Sequence, residues 1–284
     1  MRVSILGAGS IAFGMAAYLA KEGHDPMLWS PSGKSTKALA DGAELTANGA
    51  FEFSGRVRIA RDCEEAVTSA EVIVVALPGY GHKASFDAAL PHLKPGQPVI
   101  ISSHCSFGAL YLSKGLAERG VKLPISVWGT TLLTGRLQPD MTTVKVNTVR
   151  QKVDIATLPK SEIDVGHALC TELFGDRFVK RDGVMAISLS NLNPQNHLGI
   201  ALLNLTRMEK GESWGQGDNI ILTVGRVIET LYAERLAIAV TLCLSVRTVR
   251  EHFSLHLHRC SSQQDRIPFS GISIRIAGPC TLNF

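Results

Sequence analysis

The residues best suited to chemistry lie at 188–197, Ser-Leu-Ser-Asn-Leu-Asn-Pro-Gln-Asn-His. This polar run interrupts an otherwise apolar helical stretch, Gly183–Arg207. Asn193 and His197 are four residues apart, so one continuous helix sets them on a shared face. A polar pair buried there must be satisfied by protein, water or ligand. Histidine is the side chain best poised to pass a proton near neutral pH. The same residues also suit a plainer arrangement, a helix that starts at Pro194 and carries a satisfied core histidine.

A second constellation opens the chain. Arg2–Leu6 reads as a short apolar strand, followed by Gly7-x-Gly9-x-x-Ala12 and a helical pattern from Ser10 to about Lys21. Between a strand and a helix, that fingerprint points to a dinucleotide. Gly7 makes the tight turn, Gly9 leaves room for a pyrophosphate, and Ala12 lets helix and strand approach. Ser10 and Ile11 open the helix, whose free N–H groups and partial positive charge suit phosphates. The next strand, Pro26–Trp29, puts its tip where the adenine ribose is read. An Asp or Glu there would favour NAD; this chain has Ser30, Ser32, Gly33 and Lys34, then Lys37. Hydroxyls, a backbone nest and cations favour NADP over NAD. Glu71–Ala76 reads as a strand buried on both faces, and Leu77 and Pro78, just past its carboxyl end, are expected to touch the cofactor. His82 reads as a helix-entry residue ahead of a site residue.

These residues need a scaffold, and the alternation of elements supplies one. Helices at Cys63–Ser69, Lys83–Leu93 and Ala109–Arg119 alternate with strands at Pro98–Ser102 and Pro124–Trp128. Asp62 is placed to cap the first of these helices. Asn48-Gly49 signals a hairpin, and Met141–Val149 with Lys152–Leu158 looks like an antiparallel pair. From about Ser161 the texture turns helical, with Ser161–Phe174, Gly183–Arg207 and Gly225–Val246. The expected fold class is α/β: an N-terminal Rossmann doubly wound sheet at 1–160, then an α-helical second domain at 161–284.

Composition narrows the function. A net charge of +4 without a long basic run does not imply nucleic acid and is compatible with anionic small molecules. Cys63, Cys105, Cys170, Cys243, Cys260 and Cys280 form no C-x-x-C pair, which suits reduced thiols and a cytoplasmic location. The longest apolar run, Leu236–Val246, is about half a membrane span. The apolar opening is broken at Gly7, Gly9 and Gly14, unlike a signal peptide. His252, His256, His258 and Cys260 match no standard zinc spacing, so no metal is expected.

The chain resembles the octopine/nopaline (opine) dehydrogenase family over roughly residues 1–250. The likeness rests on GAGSIA, EVIVVALPGYGH, SLSNLNPQNH and VIETLYAERLAIA, and the Asn-Pro-x-x-His element is the most specific. It implies reduction, by NADPH or NADH, of the imine formed from an amino acid and a 2-oxo acid. It makes His197 the acid/base and gives Asn193 the orientation of the nicotinamide carboxamide or a substrate group. The helical domain would then exclude water, which hydrolyses imines. Small-molecule substrates are the partners implied, and a homodimer is compatible. The family continues past about Glu251 with Arg-Tyr-x-x-Glu-Asp-x-Pro, whose Asp pairs with the histidine. Residues 252–284 carry only a distant echo, Asp265-Arg-Ile-Pro268. A histidine without that carboxylate lacks the orientation it supplies, which leaves activity open. Two other readings stand beside this one. One is a ketopantoate reductase-like 2-oxo acid reductase using Lys210 with Glu209 or Glu212. The other is a non-catalytic nucleotide-binding remnant.

Overall fold

The computed structural model describes residues 1–103 and 107–246. The tail histidines, Cys260 and Asp265–Pro268 lie outside the described residues. The chain forms two compact units, Met1–Asn191 and Leu192–Phe284.

The first unit is built on an eight-stranded sheet in the order Phe178–Lys180, Val153–Leu158, Ile125–Trp128, Val99–Ile101, Val72–Val75, Arg2–Leu6, Asp25–Trp29, Arg58–Ile59. All neighbours from Arg58–Ile59 across to Ile125–Trp128 are parallel. Val153–Leu158 runs antiparallel to Ile125–Trp128, and Phe178–Lys180 runs parallel to Val153–Leu158. β-Branched runs such as Val72-Ile-Val-Val75 are buried along their whole length, as a strand covered on both faces demands. The chain steps outward from Arg2–Leu6 on one side, then returns to start Val72–Val75 on the other. That reversal is the switch point of the expected doubly wound sheet.

The helix Ser10–Lys21 covers one face of this sheet, and residues from Ala12 to Leu19 are buried all round it. Its outer side is covered by a second, four-stranded sheet, ordered Phe53–Gly55, Leu45–Gly49, Thr143–Val149, Leu133–Leu137. Val3, Ile5 and Val74 of the large sheet, Phe13 and Met15 of the helix, and Leu45, Leu133 and Val144 of the small sheet form one core. Each such side chain contributes about 1.5–3 kcal/mol by leaving water. The helix closes at Gly23, whose φ of 83° is left-handed. The His24 and Gly23 N–H groups donate to the Leu19 and Ala20 carbonyls at 2.9 and 3.1 Å, which satisfies the last turn. The other face of the large sheet carries the helices Cys63–Thr68, His82–Ala89 and Gly108–Glu118 over a second core that includes Ile73, Val75 and Ile101.

The small sheet corrects one expectation and bears out another. Thr143–Val149 and Val153–Leu158 do not pair with each other; they belong to different sheets. The hairpin expected at Asn48-Gly49 is present: Leu45–Gly49 and Phe53–Gly55 are antiparallel neighbours. Gly49 is the last residue of its strand, with φ 101°, and the chain turns at 50–52 before Ala47 pairs with Phe53. A Cβ at Gly49 would stand 2.3 Å from the Val146 carbonyl oxygen, so close parallel pairing is what requires this glycine.

The first unit also runs past 160, to Asn191. The helix Ile163–Phe174 places Cys170, Leu173 and Phe174 in the same core as Trp128 and Phe178, so it covers the sheet rather than opening a separate domain. The second unit is helical: Asn193–Leu203, Leu205–Glu209 and Leu222–Thr241. Ile200, Val224 and Ile228 form its core, with Trp214 against them. Gly199 admits Ile228, whose Cγ1 would lie 2.8 Å from a Cβ there. Among the described residues no helix is long and apolar enough to cross a membrane. Cys63 and Cys170 are free, buried thiols, whereas Cys243 is disulfide-bonded, which corrects the expectation of thiols throughout.

Asp62 starts the helix Cys63–Thr68 by accepting the Glu65 N–H at 2.7 Å, while the Glu65 carboxylate accepts the Arg61 N–H at 2.8 Å. Replacing Asp62 by Ala leaves that N–H without its cap. Denaturant unfolding of D62A is expected to show a loss of about 1 kcal/mol with an unchanged slope.

Candidate functional site

The glycine turn sits at the carboxyl end of Arg2–Leu6. The Gly7 N–H donates to the Trp29 carbonyl at 2.8 Å, and the Ala76 N–H donates to the Leu6 carbonyl at 2.9 Å. Three neighbouring strand ends are thereby held at one level. Gly7 has φ 146°, and a Cβ on it would lie 2.4 Å from the Ala76 carbonyl oxygen. Ala12 is fully buried behind the turn. Gly9 differs: φ is −96°, it is exposed, and a Cβ there would meet nothing within 4 Å. As N-cap it offers no side chain to the first turn of the helix, and that turn holds no acidic residue. The first turn of the helix thus has no side-chain cap and the space in front of Gly9 is open, which is the arrangement a diphosphate needs.

Ser10 has a second role that its sequence did not reveal. Its hydroxyl oxygen accepts the Leu137 N–H at 2.8 Å and so fastens the small sheet to the helix N-terminus. The hydroxyl proton takes no part in that bond. Ile11 is half-buried against the core behind it.

At the tip of Asp25–Trp29 the chain turns at Ser30–Gly33, closed by the Gly33 N–H to the Ser30 carbonyl at 3.2 Å. The Ser30 Oγ is buried and has no protein partner. Ser32 Oγ accepts the Lys34 N–H at 3.4 Å. Lys34 is exposed, while Lys37 is bound to Asp41 at 2.7 Å, a bond that holds its pKa above the ordinary lysine value. An orphaned hydroxyl and one open cation thus flank the position where a ribose or its phosphate would lie.

Leu77 and Pro78 follow Val72–Val75 on the far side of the switch point. Leu77 is half-buried; Pro78 is exposed and starts a 3-10 turn at Gly79–Gly81. His82 enters the next helix as expected, buried, with Nε2 at 3.1 Å from the Leu77 carbonyl oxygen.

In the second unit, Asn193 and His197 do share one helix, Asn193–Leu203, with Pro194 in its first turn. Both are exposed; Gly199 and Ile200 form the buried side. The expectation of a buried polar pair is thus corrected: the short helix buries a single side against Leu222–Thr241 and leaves its N-terminal polar residues in solvent. Glu212 is engaged with Arg207 at 2.7 Å, and Arg207 also lies over the Trp214 ring. Neither contact gathers Lys210 and Glu209 into a site. Among the described residues, no three His, Cys, Asp or Glu side chains cluster as metal ligands would.

The sheet order and the open glycine turn define the class: a Rossmann domain of the NAD-binding kind, followed by a helical domain. Comparison with known proteins narrows it. Residues 180–271 match the NAD/NADP octopine/nopaline dehydrogenase alpha-helical domain, and residues 2–138 match the NAD-dependent glycerol-3-phosphate dehydrogenase N-terminus. An opine dehydrogenase from Arthrobacter sp. (strain 1C) is 30% identical over 259 residues, covering 88% of this chain and 70% of that one. The chain belongs to the octopine/nopaline (opine) dehydrogenase family. An octopine dehydrogenase solved with NADH and pyruvate shares the fold at TM-score 0.62 and 16% identity, over 71% of this chain; the chain spans 55% of that protein's length. A PanE/ApbA family ketopantoate reductase from Ralstonia eutropha JMP134 gives TM-score 0.62 at 17% identity, over 90% of this chain and 79% of that one. At such identities the likeness concerns the fold alone.

The two glycines make opposite predictions. Gly7→Ala meets the Ala76 carbonyl in a left-handed backbone and is expected to lower the melting temperature severely or abolish soluble expression. Gly9→Val leaves the free protein's melting temperature within about 1–2 °C, yet fills the space before the helix N-terminus. Its dinucleotide affinity, read by fluorescence titration, is expected to fall at least about tenfold.

Proposed function

We propose that the chain is an NAD(P)H-dependent oxidoreductase of the opine dehydrogenase type, reducing the imine formed from an amino acid and a 2-oxo acid. The observation that carries the reading is the open, uncapped helix N-terminus at Gly9 in a chain of this family. Gly7, Gly9, Ser10, Ile11 and Ala12 would cradle the diphosphate, and Leu77 and Pro78 would border it across the switch point. Ser30, Ser32 and Lys34 would receive the adenosine end. The orphaned Ser30 hydroxyl and the unengaged Lys34 favour NADP, because both can bond a 2′-phosphate and neither repels it.

Bound dinucleotide supplies the hydride that reduces the imine carbon. His197 would move the proton that condensation and reduction require at the nitrogen or the carbinol oxygen, a task suited to imidazole near neutral pH. Asn193, one helical turn away, would orient the nicotinamide carboxamide or a substrate carboxylate. Solvent exposure of His197 lets protons reach it from bulk water. On this reading the partners are an amino acid and a 2-oxo acid, and a homodimer and a cytoplasmic location are compatible with it. The family's Arg-Tyr-x-x-Glu-Asp-x-Pro pattern, which carries the histidine's carboxylate partner, is not found at 252–284, where Asp265-Arg-Ile-Pro268 is its distant echo.

The test is oxidation of NADPH and NADH with pyruvate or 2-oxoglutarate, with and without a panel of amino acids. Turnover that requires the amine supports the proposal. Turnover with the oxo acid alone points instead to a ketopantoate reductase-like activity, and binding without turnover to a non-catalytic nucleotide binder. His197→Ala is expected to abolish turnover while the Kd for dinucleotide stays within a few-fold. An unchanged kcat in that variant removes His197 from the mechanism.

A further inference from the structure

His82 lies behind the loop that faces the glycine turn. It is 4% exposed, and its ring stands 5.4 Å from that of Phe86, between centroids. Nε2 is 3.1 Å from the Leu77 carbonyl oxygen, which can only accept, so Nε2 carries the proton. Nδ1 is then a bare lone pair, buried and without a partner. It fits there because residue 108 is glycine: a Cβ at Gly108 would stand 2.7 Å from Nδ1. The loop it holds, Leu77–Gly81, follows directly on Ala76, whose carbonyl oxygen abuts Gly7. The tie from His82 therefore acts on the chain segment that walls one side of the switch point.

We propose that His82 is a positioning residue for the nucleotide: a neutral, Nε2-protonated imidazole that pins the Leu77–Gly81 loop against the glycine turn. The proposal rests on the dinucleotide reading above. It assigns His82 no contact with the cofactor; its effect passes through the Leu77 carbonyl and the backbone of the loop.

Among the described residues, the charged and titratable neighbours on the two packed helices are Lys83, Asp87 and Tyr111. They satisfy one another at the surface, Lys83 and the Tyr111 hydroxyl each at 2.6 Å from Asp87. Tyr80, in the loop itself, is exposed. None offers the ring a compensating negative charge in the buried site. Burial accordingly pushes the His82 pKa below the ordinary 6.5, with the Leu77 hydrogen bond opposing in part. A second proton would find no acceptor among the described residues. The stability that neutral His82 contributes is thus complete above pH 6.5 and is lost as the pH falls through the lowered folded value.

The full chain is titrated with NADPH and with NADH from pH 7.5 down to the lowest pH at which it stays folded, alongside H82Q and H82L. The amide nitrogen of Gln can reach the Leu77 carbonyl and does not titrate in this range; Leu fills the space without a donor. H82Q is expected to bind within about threefold of wild type at pH 7.5 but to lose less affinity on acidification, since only wild type takes up the disruptive proton. H82L is expected to bind about tenfold more weakly at pH 7.5, the scale of one lost hydrogen bond. A general structural role would instead lower the melting temperature of both variants and leave the wild-type and H82Q pH profiles parallel. Parallel profiles, or H82L binding as tightly as wild type, overturn the proposal. Should H82L not fold, the H82Q profile alone decides. Wild type that binds neither nucleotide overturns the dinucleotide reading and this proposal with it; wild type that binds while the variants follow it overturns this proposal alone.

Discussion

The approach of Gly7 to the Ala76 carbonyl governs the geometry of the first unit. A Cβ on Gly7 would lie 2.4 Å from that oxygen, so no side chain fits between the ends of Arg2–Leu6 and Val72–Val75. Backbone can then meet backbone at the switch point, and the turn and the loop after Val72–Val75 become two lips of one crevice. Gly9 leaves the mouth open, Ser10 ties it to the small sheet, and His82 braces the opposite lip from behind. Each of these details matters because the crevice is set by main-chain atoms, which tolerate less adjustment than side chains.

The helix that begins at this turn is an unusual load for a protein of this size. It is apolar on every side, so it needs cover on every side. The large sheet supplies one cover and the four-stranded sheet the other. Its amino end has no side-chain cap, and the N–H groups there would be costly unless water or an anion satisfied them. Burial of the body and exposure of the end are two aspects of the same arrangement: the core fixes the helix axis, and the axis aims the N–H groups.

The fingerprint, the parallel strands and the helical second unit were legible in the sequence because each follows from local pattern. Val72-Ile-Val-Val75 is β-branched throughout, and Ser10–Lys21 keeps helical spacing after a glycine turn. The small sheet was not legible. Leu-Thr-Gly-Arg-Leu at 133–137 holds a glycine and an arginine within a weak alternation, and its sheet joins Thr46 to Thr143 across a long separation. Local patterns do not encode such pairings. The first unit's extent was missed for a related reason. Helix Ile163–Phe174 looks the same whether it covers a sheet or joins a bundle, and only Phe178–Lys180, three residues long, reveals which. The Asn193–His197 spacing predicted a shared helix correctly but said nothing of exposure, because neighbouring apolar residues such as Leu198 and Leu202 are themselves 50% and 59% exposed.

The small sheet draws on two stretches of chain, 45–55 and 133–149, with much of the large sheet between them. During synthesis the outer side of helix Ser10–Lys21 therefore lacks most of its cover until Leu133 and Val144 have emerged from the ribosome. Until then the side of the helix that carries Gly14, against which Leu133 packs, stands uncovered, an adhesive surface to whatever is nearby. The glycine turn forms from the first dozen residues, yet its supporting helix is shielded only when about half of the polypeptide has been made. Early residues form the turn, and late ones make the nascent chain safe from aggregation.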